Sequence, residues 1–129
     1  MQRYCLETTF LVDFLRGRER AIKMYEKIRG HRLETTSITA WEILRGPKVV
    51  GREEEYKIAV RLLERLRVLP FTMNSARIAA DIEAELRKKG REINLVDLLI
   101  AAVAIENGSR LVTRDEGYER INGLKVELY

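Results

Sequence analysis

Four carboxylates, Glu7, Glu42, Asp97 and Asp115, are the residues of this chain best placed to do chemistry. Glu7 ends the apolar run Tyr4-Cys5-Leu6, where an unpaired carboxylate is costly to bury and no base stands nearby in sequence. Asp115 lies just past a short β-type run, Leu111-Val112-Thr113, and Asp97 opens the long apolar stretch Leu98 to Ile105. Each acid also has a structural reading. Thr39-Ala40-Trp41-Glu42 matches a capping box, worth on the order of 1 kcal/mol. Asp97, three residues after Asn94, favours the positive end of its helix, and Asp115 caps the turn that follows it. Their joint placement points further. Four acids at element ends on one side of a sheet need something positive between them. Hard oxygen donors without neighbouring His or Cys point to Mg²⁺ or Mn²⁺ rather than zinc. His31, the only histidine, reads as a solvated loop residue, and Asp13 as the exposed face of a helix.

The elements that must position these acids follow from pattern. Strands are expected at Arg3–Thr8, Leu33–Ser37, Val68–Phe71, Arg110–Thr113 and Lys125–Leu128, with Pro70 placing the third at a sheet edge. Helices are expected at Phe10–Leu15, at Glu19–Arg29 with Ile22, Tyr25 and Ile28 as its stripe, and at Thr39–Leu44, stopped by Arg45-Gly46-Pro47. Three more follow: Glu53–Leu66 facing inward through Tyr56, Ala59, Val60, Leu63 and Leu66; Ala76–Lys89, capped by Asn74 or Ser75; and a helix capped by Asn94 that stops at Gly108. Glu83 with Arg87 and Glu85 with Lys89 form i,i+4 pairs on an outer face. Glu116–Arg120 reads as a single turn. Alternating strands and helices predict an α/β fold with a mainly parallel sheet flanked by helices. Ligands of such sheets bind beyond the carboxyl ends of the strands, where Glu7 and Asp115 fall.

Composition narrows the function classes. The chain has 129 residues, 46% of them hydrophobic, enough for one compact domain over residues 1–129 and against disorder. The longest apolar run is too short to cross a bilayer, and Glu7 interrupts the only signal-like stretch near the start, so no membrane partner is expected. A single cysteine, Cys5, allows no intrachain disulfide and fits a reducing cytoplasm, and reads as a small buried hydrophobe. The net charge of +4 permits a polyanionic partner without requiring one. The abundance of Lys, Arg and Glu against one Gln is a pattern reported for proteins of hot environments.

Four segments then resemble the ordered motifs of PIN-domain ribonucleases, especially the VapC toxins of toxin–antitoxin pairs. Leu6-Glu7-Thr8-Thr9-Phe10-Leu11-Val12-Asp13 resembles their opening, and Ser37 to Gly46, with Glu42 four residues before Gly46, resembles the second motif. Asn94 to Ala104 resembles the third and Leu111-Val112-Thr113-Arg114-Asp115 the fourth. The resemblance spans essentially the whole chain. One position departs from it: the family's first motif opens on Asp-Thr, and here it is Glu7-Thr8-Thr9. Glutamate is one methylene longer, so its carboxylate must fold back or the metal must shift, and Mg²⁺ tolerates poor geometry badly.

The resemblance implies metal-assisted hydrolysis of phosphodiester bonds in structured RNA, tRNA or ribosomal RNA. Glu7, Asp97, Asp115 and Glu42 would hold Mg²⁺ or Mn²⁺ and act as the catalytic set. Thr8, Thr9 and Thr113 would hydrogen-bond the carboxylates or the phosphate, and Arg45 and Arg114 would contact RNA. It further implies a cognate antitoxin lying across the groove and a homodimer, for which Tyr56-Ala59-Val60-Leu63 could supply a face. The alternative is a catalytically impaired PIN domain that binds RNA or antitoxin without cutting. A structure-specific DNA nuclease wants more acids and added DNA-binding segments. An Asp-x-Asp phosphatase fails on Glu7-Thr8-Thr9, and a phospho-receiver domain on Thr35-Thr36-Ser37, where it needs its phosphoacceptor.

Overall fold

The computed structural model describes residues 1–129. Five strands, β1 (Arg3–Leu6), β2 (Arg32–Thr36), β3 (Arg67–Leu69), β4 (Arg110–Thr113) and β5 (Val126–Leu128), form one sheet in the order β3-β2-β1-β4-β5. Every pairing is parallel, so the sheet is wholly rather than mainly parallel. Helices α1 (Thr8–Leu15), α2 (Glu19–Ile28), α3 (Ser37–Val50), α4 (Glu53–Glu64), α5 (Met73–Lys88) and α6 (Leu95–Asn107) cover it, with a 3₁₀ turn at Glu116–Arg120. Strand alternation divides the core into two layers. Leu6 and Val112 pack on one face with Phe10, Leu11, Met24 and Ile43, while Cys5 and Leu111 pack on the other with α5 and α6. Cys5 is fully buried and its thiol is pushed up by burial, so it is the inert hydrophobe its position suggests.

Helix boundaries show which local signals prevailed. Asn94 caps α6 by accepting from the Val96 amide at 2.9 Å, and Gly108 closes it at φ +61°, as expected. α3 departs from expectation. Thr36, not Thr39, is its cap, accepting from the Thr39 amide at 3.0 Å, and the helix runs through Pro47 to Val50. Proline removes only its own amide's bond, and here it falls in the last two turns, where the loss is tolerated. α5 likewise starts earlier than expected, at a capping box between Thr72 and Ser75. The buried stripe of α2 is Ala21, Met24 and Ile28, leaving Ile22 exposed, and on α4 Ala59 and Leu63 are core. Glu83–Arg87 and Glu85–Lys89 pair as predicted, at 3.1 and 3.2 Å.

The strand order matters most for function. β1, β2 and β3 spread to one side and β4, β5 to the other, so the winding reverses between β1 and β4. A crevice forms outside the carboxyl ends of strands at such a switch point.

Candidate active site

Glu7 and Asp115 stand at that switch point, one after β1 and the other after β4. Glu7 is the N-cap of α1 rather than a strand residue, and only 3% of it is exposed. Its Oε1 accepts from the Thr9 amide at 3.0 Å, the Thr9 hydroxyl at 2.6 Å and the Thr113 hydroxyl at 2.7 Å. The extra methylene folds the carboxylate back onto its own helix start. Its Oε2 faces the hydroxyl of Tyr118 at 3.4 Å. Thr113, fully buried, also accepts from the Asp115 amide at 3.1 Å, linking the two acids through one hydroxyl.

Asp97 lies in the first turn of α6, half-buried, with Tyr118 donating to its Oδ1 at 3.0 Å. Asp115 is exposed and caps the 3₁₀ turn, its Oδ1 accepting from the Gly117 amide at 2.8 Å. The carboxylate folds so closely over that turn that a Cβ at position 117 would lie 3.0 Å from Asp115 Oδ1, so a side chain there would push the carboxylate aside. Glu42 is not part of a capping box, because α3 begins a turn earlier than the box requires. It projects from mid-helix toward α1, where the Thr8 hydroxyl donates to its Oε1.

A pattern emerges from these partners. One oxygen of each acid is held by protein donors; the second oxygens of Asp97, Asp115 and Glu42 receive no protein hydrogen bond, and that of Glu7 has only the long Tyr118 contact. No Lys or Arg forms an ion pair with any of the four. The repulsion registers in their proton affinities. Burial raises the Glu7 pKa above its usual 4.5, opposed by the Thr9 and Thr113 hydrogen bonds and reinforced by the charge of Asp97. Burial also raises Asp97 above its usual 3.8, opposed by the Tyr118 hydrogen bond, reinforced by Asp115 and Glu42, and eased by Arg120. Burial and the charges of Glu7 and Asp97 push the Tyr118 hydroxyl upward, so it stays protonated and donates.

These features fit a hard divalent cation in donor type and charge. They do not yet form a coordination shell: no three His, Cys, Asp or Glu side chains stand close enough to hold one ion. Glu7 has its carboxylate turned back onto Thr9 and Thr113, and the Tyr118 hydroxyl stands between Glu7 and Asp97.

Of the threonines singled out, Thr9 and Thr113 contact Glu7, and Thr8 contacts Glu42. Arg114 is exposed beside Asp115 and pairs with Asp13 Oδ2 at 3.4 Å. Asp13 is buried, not on an exposed face, and accepts from the Tyr129 hydroxyl at 2.8 Å. With Arg18 and Arg20 these residues line a cavity of about 410 Å³. Arg45 is exposed on α3 and stacks on Trp41, 5.2 Å from the ring centre, with no hydrogen bond or ion pair to the acids. His31 is half-buried, its Nδ1 accepting from the Gln2 amide at 3.1 Å. The residues sequence reasoning missed are Tyr118 and Arg120. An aromatic in a short turn reads as core, and nothing local says where its hydroxyl points.

Fold and acid cluster together define a parallel α/β protein with a carboxylate site at its switch point. The chain belongs to the PIN-domain family, whose model matches residues 4–124. It is VapC-like. A tRNA(fMet)-specific endonuclease VapC of Salmonella typhimurium is 27% identical over 129 residues, 98% of each chain. A ribonuclease VapC of Haemophilus influenzae is 29% identical over the same span, again 98% of each. Among solved structures, a chain of the VapBC complex of Rickettsia felis bound to a promoter DNA fragment superposes with a TM-score of 0.87 at 25% identity, covering 98% of both chains. A chain of the DNA-bound VapBC of Salmonella typhimurium gives 0.86 at 27% identity, with 98% coverage of both. The sequence relatives are named as VapC nucleases and the solved neighbours as VapBC complexes, and this chain is a PIN-domain protein of the VapC type.

Proposed function

We propose that the protein is a Mg²⁺- or Mn²⁺-dependent endoribonuclease acting on structured RNA in the cytoplasm. The observation that carries this reading is Glu7 and Asp115 at the β1/β4 switch point with Asp97 and Glu42 within electrostatic range, none of the four in an ion pair and three of them with one oxygen free of protein donors. Glu7, Asp97 and Asp115 would hold the cation, with Glu42 a ligand directly or through water. A bound cation of this kind lowers the pKa of a coordinated water and neutralises charge that builds on the phosphate.

The chain's own residues do the rest. Thr9 and Thr113 hold Glu7 in one orientation, Thr8 holds Glu42, and the Asp115 carboxylate is fixed by the turn it caps. Hydrogen bonds of this type set the direction of metal-binding carboxylates. Arg114, adjacent to Asp115 and lining one cavity with Arg18 and Arg20, would exchange its Asp13 partner for an RNA phosphate. Arg45, stacked on Trp41 and one turn along α3 from Glu42, would be a second phosphate contact. Because a relative is named for tRNA(fMet), tRNA is the first substrate to try.

The antitoxin reading has its own support. A groove of about 600 Å³ runs between α1, α3 and α4, lined by Val12, Leu15, Ile43, Val50 and Ile58, and Glu42 lies on its wall. An apolar segment laid in this groove would lead directly to the acid cluster and cover it. We further propose a homodimer; with Ala59 and Leu63 buried as core, the α4 face suggested by sequence does not supply it.

The test is cleavage of pooled tRNA and ribosomal RNA with Mg²⁺, with Mn²⁺ and with EDTA, comparing wild type, Asp97→Asn and Glu7→Asp. Metal-dependent cutting that disappears in Asp97→Asn is the expected result. Cutting that persists in EDTA would overturn the metal role. Cutting by Glu7→Asp alone would make Glu7 a silencing substitution, and no cutting by either would leave a binding module.

A further inference from the structure

We infer that Tyr118 is a positioning residue of the cation site, acting through Asp97. This inference rests on the metal-dependent reading above. Tyr118 is 1% exposed, and its ring packs in the core with Leu98, Ala101 and Ile121, so the hydroxyl has little freedom to move. That hydroxyl emerges between two acids from different elements, donating to Asp97 Oδ1 at 3.0 Å and approaching Glu7 Oε2 at 3.4 Å. It is the only protein donor to Asp97's carboxylate, and it leaves Oδ2 free. The same residue is tied to a third acid. Its amide donates to the Asp115 carbonyl at 3.4 Å, inside the turn that the Asp115 side chain caps. One rigid tyrosine therefore joins the start of α1, α6 and the turn after β4 at the point where their acids meet.

The consequence concerns cation affinity. A neutral hydroxyl holding one oxygen of Asp97 fixes the direction of the other before a cation arrives. Without it, Asp97 turns freely about its side-chain bonds and must be ordered on binding, a cost absent from the native site. The hydroxyl also separates Glu7 from Asp97 in the ion-free protein, where the two charges otherwise face each other. A purely structural tyrosine would contribute its ring, and phenylalanine would serve equally well.

The experiment is Mn²⁺ binding to the full chain, followed by the loss of the free-Mn²⁺ electron paramagnetic resonance signal. Wild type, Tyr118→Phe, Asp97→Asn and the double variant are compared. Tyr118→Phe keeps the buried ring, and its circular dichroism confirms the fold. We expect Tyr118→Phe to weaken Mn²⁺ binding by roughly tenfold or more, and to add nothing in the Asp97→Asn background. Cleavage should then need more Mn²⁺ for half-activation yet recover at saturation. Unchanged Mn²⁺ affinity in Tyr118→Phe, or an equal loss in both backgrounds, would overturn the inference while leaving the metal site standing. If wild type itself binds no Mn²⁺, or Asp97→Asn binds as tightly as wild type, the metal-dependent reading fails and this one with it.

Discussion

Replacing Thr113 by valine tests whether the carboxylate network holds the fold as well as the site. Thr113 is fully buried, and its hydroxyl makes the 2.7 Å bond to Glu7 Oε1. A hydrogen bond to a charged group contributes roughly 1.5–3 kcal/mol. Valine preserves the shape, so no cavity opens. The Asp115 amide loses its acceptor, but this group is only part-buried and water can replace the bond, at a cost of no more than about 1 kcal/mol. Burying a methyl in place of a hydroxyl returns a similar amount. The net loss is therefore about 2 kcal/mol. For 129 residues the unfolding entropy near Tm is about 0.27 kcal/mol per kelvin, which makes the expected fall about 7 °C. Thermal unfolding in EDTA, with Thr113→Ser as the hydroxyl-retaining control, measures it. The pH dependence has a definite sign. The bond favours ionised Glu7, so the gap between wild type and Thr113→Val is full above Glu7's folded pKa. It narrows as pH falls through that value, which lies above the ordinary 4.5. A gap below about 0.5 kcal/mol at pH 8, or one that does not change with pH, would refute the reasoning.

Three further outcomes are expected. Arg3→Met strands the fully buried Glu34 carboxylate with the Ser109 hydroxyl as its one remaining side-chain donor, at 2.9 Å; urea unfolding should show a loss of about 3 kcal/mol with Mn²⁺ binding intact, and a loss under about 1 kcal/mol would contradict the role given to the pair. Glu106 accepts from the Thr72 and Ser75 hydroxyls at 2.6 and 2.7 Å at the start of α5, and these bonds lower its pKa. Its contribution is thus present above the ordinary carboxyl range and lost as pH falls through the depressed value, so Glu106→Gln should destabilise at pH 7 and progressively less as the pH is lowered below the ordinary carboxyl range; an effect that does not change with pH would count against it. Glu7 and Asp97 hold their protons more tightly than ordinary carboxyls, so protons compete with the cation and Mn²⁺ affinity should fall as the pH is lowered toward the carboxyl range, beginning at a higher pH than for ordinary carboxylates; isothermal titration showing a constant affinity down to the ordinary carboxyl range would argue against these two as ligands.

What was legible in the sequence divides by the range of the interaction. α6 was readable from Asn94 to Gly108 because its cap and its left-handed terminator are local. The start of α3 was misplaced because Thr36, Ser37 and Thr39 all offer hydroxyls to a helix start. The choice among them depends on Thr36 being carried by a buried central strand, which ends there. The strand order lay beyond local pattern. That β4 rather than β3 sits beside β1 is decided by which helices cover which face, and it is this adjacency that brings Asp115 to Glu7.

The site follows the same rule. The acids could be counted from the sequence, but which of their oxygens are already held could not. That depends on hydroxyls up to 111 positions away, as with Tyr118 and Glu7. Glu7 shows why the difference matters. Read along the chain, its extra methylene is a departure that strains a metal site. In the fold, that length lets one oxygen cap α1 and reach Thr9 and Thr113 while the other stays on the side of Asp97 and Tyr118. The side chain is thus a structural cap through Oε1 and a candidate ligand through Oε2. Capping and ligation do not compete when the two oxygens divide them, and a fixed Oε1 gives Oε2 a defined direction.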